Sequence, residues 1–157
     1  MTNEDKGAVY DRAIKLLNKQ DYSEYKIRTK LEDLGFDPDQ IDVAIEKIKK
    51  GNFLNDERYK KNLSRKLLIK GFSPVFIKKK LNYEGIKIST NEILLIFEEE
   101  GYTPKTQIKM LVEKKLKKNY AFENEVERQK TLNKLMNFIL AKGHGYEEIL
   151  EYLEEIL

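Results

Sequence analysis

The chain has 157 residues, with 30 Lys and Arg against 27 Asp and Glu, one His, and neither Cys nor Trp. That length can bury a real core, and apolar residues at 40% with regular spacing exclude a disordered chain despite 36% charged residues. The lack of Cys excludes a disulfide framework, a thiolate metal site and a cysteine nucleophile. The near-apolar run Ile93-Leu94-Leu95-Ile96-Phe97 is too short to span a bilayer. The opening Met1-Thr2-Asn3-Glu4-Asp5-Lys6 is polar where a signal peptide would be basic and then apolar, so the expected compartment is the cytoplasm.

After a polar tail at 1–7, the punctuation predicts helices over 8–19, 23–34, 38–50, 56–70, 74–84, 90–100, 104–119, 125–142 and 146–157. Each of the pairs Asp37-Pro38, Ser73-Pro74 and Thr103-Pro104 puts proline at a first helical position behind a capping side chain. Ser89-x-x-Glu92, Asp21-x-x-Glu24 and Asp37-x-x-Gln40 read as capping boxes or close variants. Gly35, Gly51, Gly71, Gly85, Gly101 and Gly143 follow apolar-periodic runs, where glycine can close a helix in the left-handed conformation. Strand signals are weak.

Three glycines reveal a repeat. Apolar residues stand eight and four positions before Gly35, Gly85 and Gly143, namely Ile27 and Leu31, Ile77 and Leu81, Leu135 and Ile139. Ile41, Ile45 and Ile48 follow Gly35 at the offsets at which Ile149, Leu153 and Ile156 follow Gly143, while Ile93 and Phe97 follow Gly85 slightly later. The first helices offer Tyr10, Ile14 and Leu17, then Tyr59, Leu63 and Leu67, then Ile108, Val112 and Leu116. The expected fold is all-α: three tandem three-helix repeats, at 8–52, 53–101 and 102–157, stacked into an elongated, curved array.

The net charge of +3 averages unequal segments. Residues 58–87 hold ten cations and the single anion Glu84, residues 102–118 hold six lysines and Glu113, and residues 143–157 hold five glutamates without Lys or Arg. Such asymmetry points to polyanion contact or to an acidic groove on a protein. On the helix starting near Asp56, Arg58, Lys61 and Arg65 share a face, flanked by Lys66 and Lys70. Lys78, Lys79 and Lys80 open a second basic surface, and Lys114, Lys115, Lys117 and Lys118 a third. A solvated helix face is the competing reading of each. Ten cations against one anion exceed what surface ion pairing would use, which favours a binding surface.

Among the aromatic residues, Tyr10, Tyr59, Phe76, Phe97 and Phe138 stand at core spacing, whereas Tyr102 and Tyr120 lie beside lysines near helix ends. Glu98-Glu99-Glu100 fans out around a helix and lacks a ligand partner nearby. His144, between two glycines, has no nucleophile beside it, and no phosphate-cradling glycine motif occurs. No catalytic residue, metal site or cofactor is expected.

Ala13-Ile14-Lys15-Leu16-Leu17, Asp21-Tyr22-Ser23-Glu24, Ile27-Arg28-Thr29-Lys30-Leu31 and Leu34-Gly35-Phe36 together resemble the opening repeat of the RecX regulatory proteins. Phe53-Leu54-Asn55-Asp56-Glu57-Arg58-Tyr59, Lys70-Gly71-Phe72-Ser73-Pro74 and Ile77-Lys78-Lys79-Lys80-Leu81 are similar to that family's middle segment. Lys114-Lys115-Leu116, Lys134-Leu135-Met136-Asn137-Phe138-Ile139-Leu140 and Tyr146-Glu147-Glu148-Ile149 are similar to its third repeat. Two places depart from the pattern: Lys142-Gly143-His144-Gly145-Tyr146 spaces out the basic-Gly-aromatic signature, and Glu84 precedes Gly85 where a basic residue is commoner.

The resemblance implies a non-catalytic, bacterial cytoplasmic modulator of the RecA recombinase, and a monomer is expected. Such proteins lodge in the groove of the RecA–single-stranded DNA filament and lower its ATP hydrolysis and strand exchange, affecting homologous recombination and the SOS response. The expected partners are the RecA filament and single-stranded DNA, with weak duplex binding and no membrane. An independent DNA-binding helical repeat protein of weak sequence specificity is the alternative, and a pure protein-interaction scaffold is a third reading.

Overall fold

The structure, a computed structural model, describes residues 3–116 and 120–156. Among them nine α-helices run in order: α1 (Asn3–Lys19), α2 (Glu24–Asp33), α3 (Pro38–Lys50), α4 (Asp56–Ile69), α5 (Pro74–Tyr83), α6 (Thr90–Glu99), α7 (Pro104–Lys115), α8 (Glu125–Ala141) and α9 (Tyr146–Ile156). The first helix starts five residues earlier than the apolar pattern predicts, because the stretch before residue 8 has no periodicity to announce it. Lys117 and Lys118 lie outside the described residues.

The caps explain most boundaries. Asp37 and Thr103 each accept from an early N–H of the helix that their following proline begins. Ser73 does the same for α5, taking the Phe76 N–H at 3.1 Å. Ser89 and Glu92 form a reciprocal capping box. For α2 the cap is Ser23, which accepts from Lys26, and not Asp21. Gly35, Gly71, Gly85, Gly101 and Gly143 all have positive φ. Gly51 differs: its φ is −78°, and Asn52 at φ 58° takes the left-handed position instead. A Cβ on Gly51 would stand 2.9 Å from the ring of the exposed Phe53, which would have to shift to make room.

The chain divides into two compact units. The first comprises the described residues up to Leu63 with Leu81–Lys87, and the second Ser64–Lys80 with the described residues from Ile88 onward. In the first, α1, α2 and α3 pack on one another around Val9, Ala13, Ile27, Leu31, Ile41, Ile45 and Ile48. In the second, α7, α8 and α9 pack pairwise around Ile108, Leu111, Val112, Leu135, Ile139, Ile149 and Leu153. Ile77, Leu81, Ile93 and Phe97 are also buried, as the repeat pattern predicts.

Two helices are rotated from their expected faces. In α1, Val9 and Ala13 are fully buried, with Tyr10, Ile14 and Leu17 packed half-buried beside them. In α4 the buried line is Lys60, Ser64, Leu67 and Leu68, and Tyr59 and Leu63 are half-buried. Lys60 tolerates that position because its stem is covered while its ammonium meets Glu57 at 3.1 Å. The Tyr59 phenol is pushed up to about 12 by burial first, and then by the Glu84, Asp21 and Asp56 carboxylates.

Candidate polyanion-binding surface

The turn that ends α4 is the centre of the second unit's basic surface. Lys70-Gly71-Phe72 closes the helix with the Phe72 N–H donating to the Leu67 carbonyl at 3.1 Å and the Gly71 N–H to Leu68 at 2.9 Å. Side chains from elsewhere add further donors to the carbonyls of this turn. Gln107, fully buried on α7, donates its Nε2 to Leu68 at 3.0 Å and to Phe72 at 2.8 Å. His144 donates Nε2–H to the Gly71 carbonyl at 2.8 Å, which fixes the tautomer of the ring. Burial lowers the His144 pKa; the Gly71 bond and the Glu148 carboxylate oppose that shift.

A second turn is tied to the first. The Ser73 N–H donates to the Lys142 carbonyl at 2.9 Å, and the Ser73 hydroxyl donates to the Gly143 carbonyl at 2.7 Å. These bonds fix Lys142, the C-cap of α8, over two aromatic rings: its ammonium is 4.3 Å from the Phe72 centroid and 5.8 Å from that of Phe138. Phe72 itself stacks on Phe76 at 4.3 Å with 23° between the planes. Lys115, in the last turn of α7, stands 4.4 Å over Phe138. The Lys142 pKa is lowered by burial first, and then by the charges of Lys114, Lys70 and Lys115.

Lys70 and the adjacent pair Lys114 and Lys115, from two separate places in the sequence, are thus brought around one half-buried lysine. Other candidates are engaged elsewhere. Arg58 donates Nη1 to the Asn52 carbonyl at 3.2 Å and so braces the turn after α3. Arg65 meets Glu100 at 2.6 Å as a charge contact, although its buried Nε–H is not directed at the oxygen. That pair also uses one carboxylate of the Glu98-Glu99-Glu100 run. Lys61, Lys66 and Lys79 are exposed, while Lys78 and Lys80 are half-buried.

The structure adds Lys142, Lys134, Phe72 and Phe138 to the candidate surface. Phe138 reads from its spacing as core, and it is only half-buried. Lys142 reads as the end of a helix; a lysine preceding a left-handed glycine was the available signal. Tyr120 is exposed and donates to Glu127 at 2.7 Å, while Tyr102 is half-buried.

A family model described as RecX, first three-helix domain, matches residues 10–47. The regulatory protein RecX of Clostridium botulinum is 33% identical over 149 residues, which covers 94% of this chain and 68% of that one. The chain belongs to the RecX family of regulatory proteins. The RecX of Syntrophotalea carbinolica is 26% identical over 93% of this chain and 94% of its own. The crystal structure of RecX from Lactobacillus salivarius matches with a TM-score of 0.69 at 24% identity, covering 99% of this chain and 98% of that one. These RecX relatives are named for regulation, and the all-α architecture is shared with the solved RecX structures. Among the described residues of this RecX-family chain, no helix is long and apolar enough to cross a membrane.

Proposed function

We propose that the chain is a non-catalytic regulator of a RecA-type recombinase in the bacterial cytoplasm, binding the filament that the recombinase forms on single-stranded DNA. Binding lowers ATP hydrolysis and strand exchange by resisting the subunit movements that turnover requires. The observation that carries this reading is the gathering of Lys70, Lys114 and Lys115 around Lys142, whose ammonium shares the Phe138 ring with that of Lys115. Lysines held together against their own repulsion lose free energy in the free protein and regain it on a polyanion. Lys66, Lys78, Lys79 and Lys80, in the same unit, extend the surface, while Arg65 is held by Glu100. Arg58 and Lys61, in the first unit, are separate candidates for polyanion contact. Family membership supplies the choice of recombinase.

The three-helix repeats at 8–52, 53–101 and 102–157 belong to the same proposal. Their support is a recurring bond: the Ser23 hydroxyl at the start of α2 donates to the Glu84 carbonyl after α5 at 2.6 Å, as Ser73 at the start of α5 does to Gly143 after α8.

The lysine-covered rings would also serve a naked strand, which favours an independent DNA-binding protein as the second reading. Comparing affinity for the recombinase filament with affinity for the same single strand alone, at one salt concentration, decides between them. Tighter binding to the filament is expected. Equal affinities contradict the regulator and leave the DNA-binding protein.

A further inference from the structure

We infer that the groove between α7 and α8 seats one unstacked base of a single-stranded nucleic acid, with the neighbouring phosphates held by the lysines around it. This rests on the polyanion reading above and names the ligand class of that surface.

The groove holds about 240 Å³ and is lined by Lys115, Leu116, Thr131, Lys134, Leu135 and Phe138. That volume is below the range of about 300–1,000 Å³ typical of sites for whole small molecules, and it suits one ring system better than a free cofactor. Its chemistry is divided. Leu116, Leu135 and the Phe138 ring make an apolar floor, Lys115 and Lys134 supply charge, and among the described residues no carboxylate lines it. The α7 carboxylate of Glu113 acts instead on Tyr152 of α9.

An aromatic floor beside clustered cations matches a strand whose bases stack on side chains while its backbone follows positive charge. A duplex keeps its bases paired and stacked, so it could use the lysines but not the floor. In the free protein the Lys115 ammonium covers Phe138 at 4.4 Å. A base takes that place over the ring, and the flexible ammonium moves out to phosphate. Lys142, held 5.8 Å from the same ring by the Ser73 bonds, stays beside it to meet the next phosphate.

The test is binding of the full chain to a labelled oligothymidylate and to a fully abasic strand of equal length. The wild type is expected to prefer the strand with bases by about five-fold or more. Phe138→Leu keeps apolar volume but removes the ring, and should abolish that preference, read as the ratio of the two affinities. Thr131→Leu, which fills the groove without adding a ring and leaves Phe138 intact, should do the same, so the test stands if Phe138→Leu does not fold. Lys134→Gln and Lys142→Gln should weaken both strands alike, each reducing the salt slope by about 0.7.

No preference for bases in the wild type overturns the inference, as does full preference in both groove variants. If the groove variants bind both strands normally but lose inhibition of the recombinase, the occupant is a protein segment; the base site then fails and the regulator stands. Base preference without any effect on a recombinase has the opposite meaning.

Discussion

The Ser73 hydroxyl donates to the Gly143 carbonyl at 2.7 Å while accepting the Phe76 N–H at 3.1 Å. One side chain therefore starts α5 and ties it to the turn after α8. Ser23 has the same double role, accepting from Lys26 and donating to Glu84 at 2.6 Å. Both serines are buried, so a lost bond leaves a carbonyl without a donor. Ser73→Ala and Ser23→Ala should each cost about 2 kcal/mol, combining a cap and a buried hydrogen bond. Ser89→Ala, which removes an exposed local cap, should cost about 1 kcal/mol. Urea unfolding of the three variants checks the ranking.

The glycine at each of these turns is constrained differently. Gly143 has φ +89°, and a Cβ there would stand 2.7 Å from both the Phe76 Cβ and the Ser73 Oγ. Gly35 has nearly the same φ, +87°, but a Cβ there would meet nothing within 4 Å. Gly35→Ala should therefore lose about 1 kcal/mol from backbone strain alone. Gly143→Ala should lose about 3 kcal/mol, because neighbouring groups must shift as well. Equal losses in thermal or urea unfolding would contradict the packing described around Ser73.

Acid should loosen the same region. Burial holds the folded His144 pKa below the ordinary value near 6.5, so between the two values the unfolded chain binds the extra proton. The neutral ring's contribution is fully present above about pH 6.5 and is lost as pH falls toward the depressed folded value. Unfolding midpoints across that interval should fall with pH in the wild type. His144→Gln should flatten that dependence, whatever its effect on absolute stability.

Charge substitutions should separate binding lysines from structural arginines. Arg65→Gln breaks a half-exposed pair with Glu100 and should cost less than about 1 kcal/mol, with little effect on single-strand binding. Lys70→Gln and Lys114→Gln should leave stability nearly unchanged and weaken strand binding with a shallower salt slope. Titrations at several salt concentrations, paired with unfolding curves, read both effects.

The sequence carried the helices well because their ends rest on local chemistry: Pro38 and Pro104 behind capping side chains, and five left-handed glycines. Burial of Ile27, Leu31, Ile77, Leu81, Leu135 and Ile139 was legible for a related reason, since each pair repeats at a fixed distance from glycine. Where packing departed from a simple stripe, the pattern failed. Buried Lys60 and Ser64 turn α4 away from the face that Tyr59 and Leu63 suggest.

The basic surface was legible as composition but not as geometry. Lys70, Lys114 and Lys142 meet through bonds made by Ser73, Gln107 and His144, which join positions far apart in the chain. No periodicity links Lys142 to Phe72, and helix spacing places Arg58 and Arg65 on one face without showing that Asn52 and Glu100 engage them.

The most direct measurement is single-stranded-DNA-dependent ATP hydrolysis by the cognate recombinase, titrated with the chain while DNA is in excess. Excess DNA prevents competition for strand from imitating inhibition. The regulator predicts a falling rate at well below one copy per recombinase subunit, with the fall reduced in Lys70→Gln and Lys114→Gln. An unchanged rate, with salt-dependent strand binding intact, would contradict it.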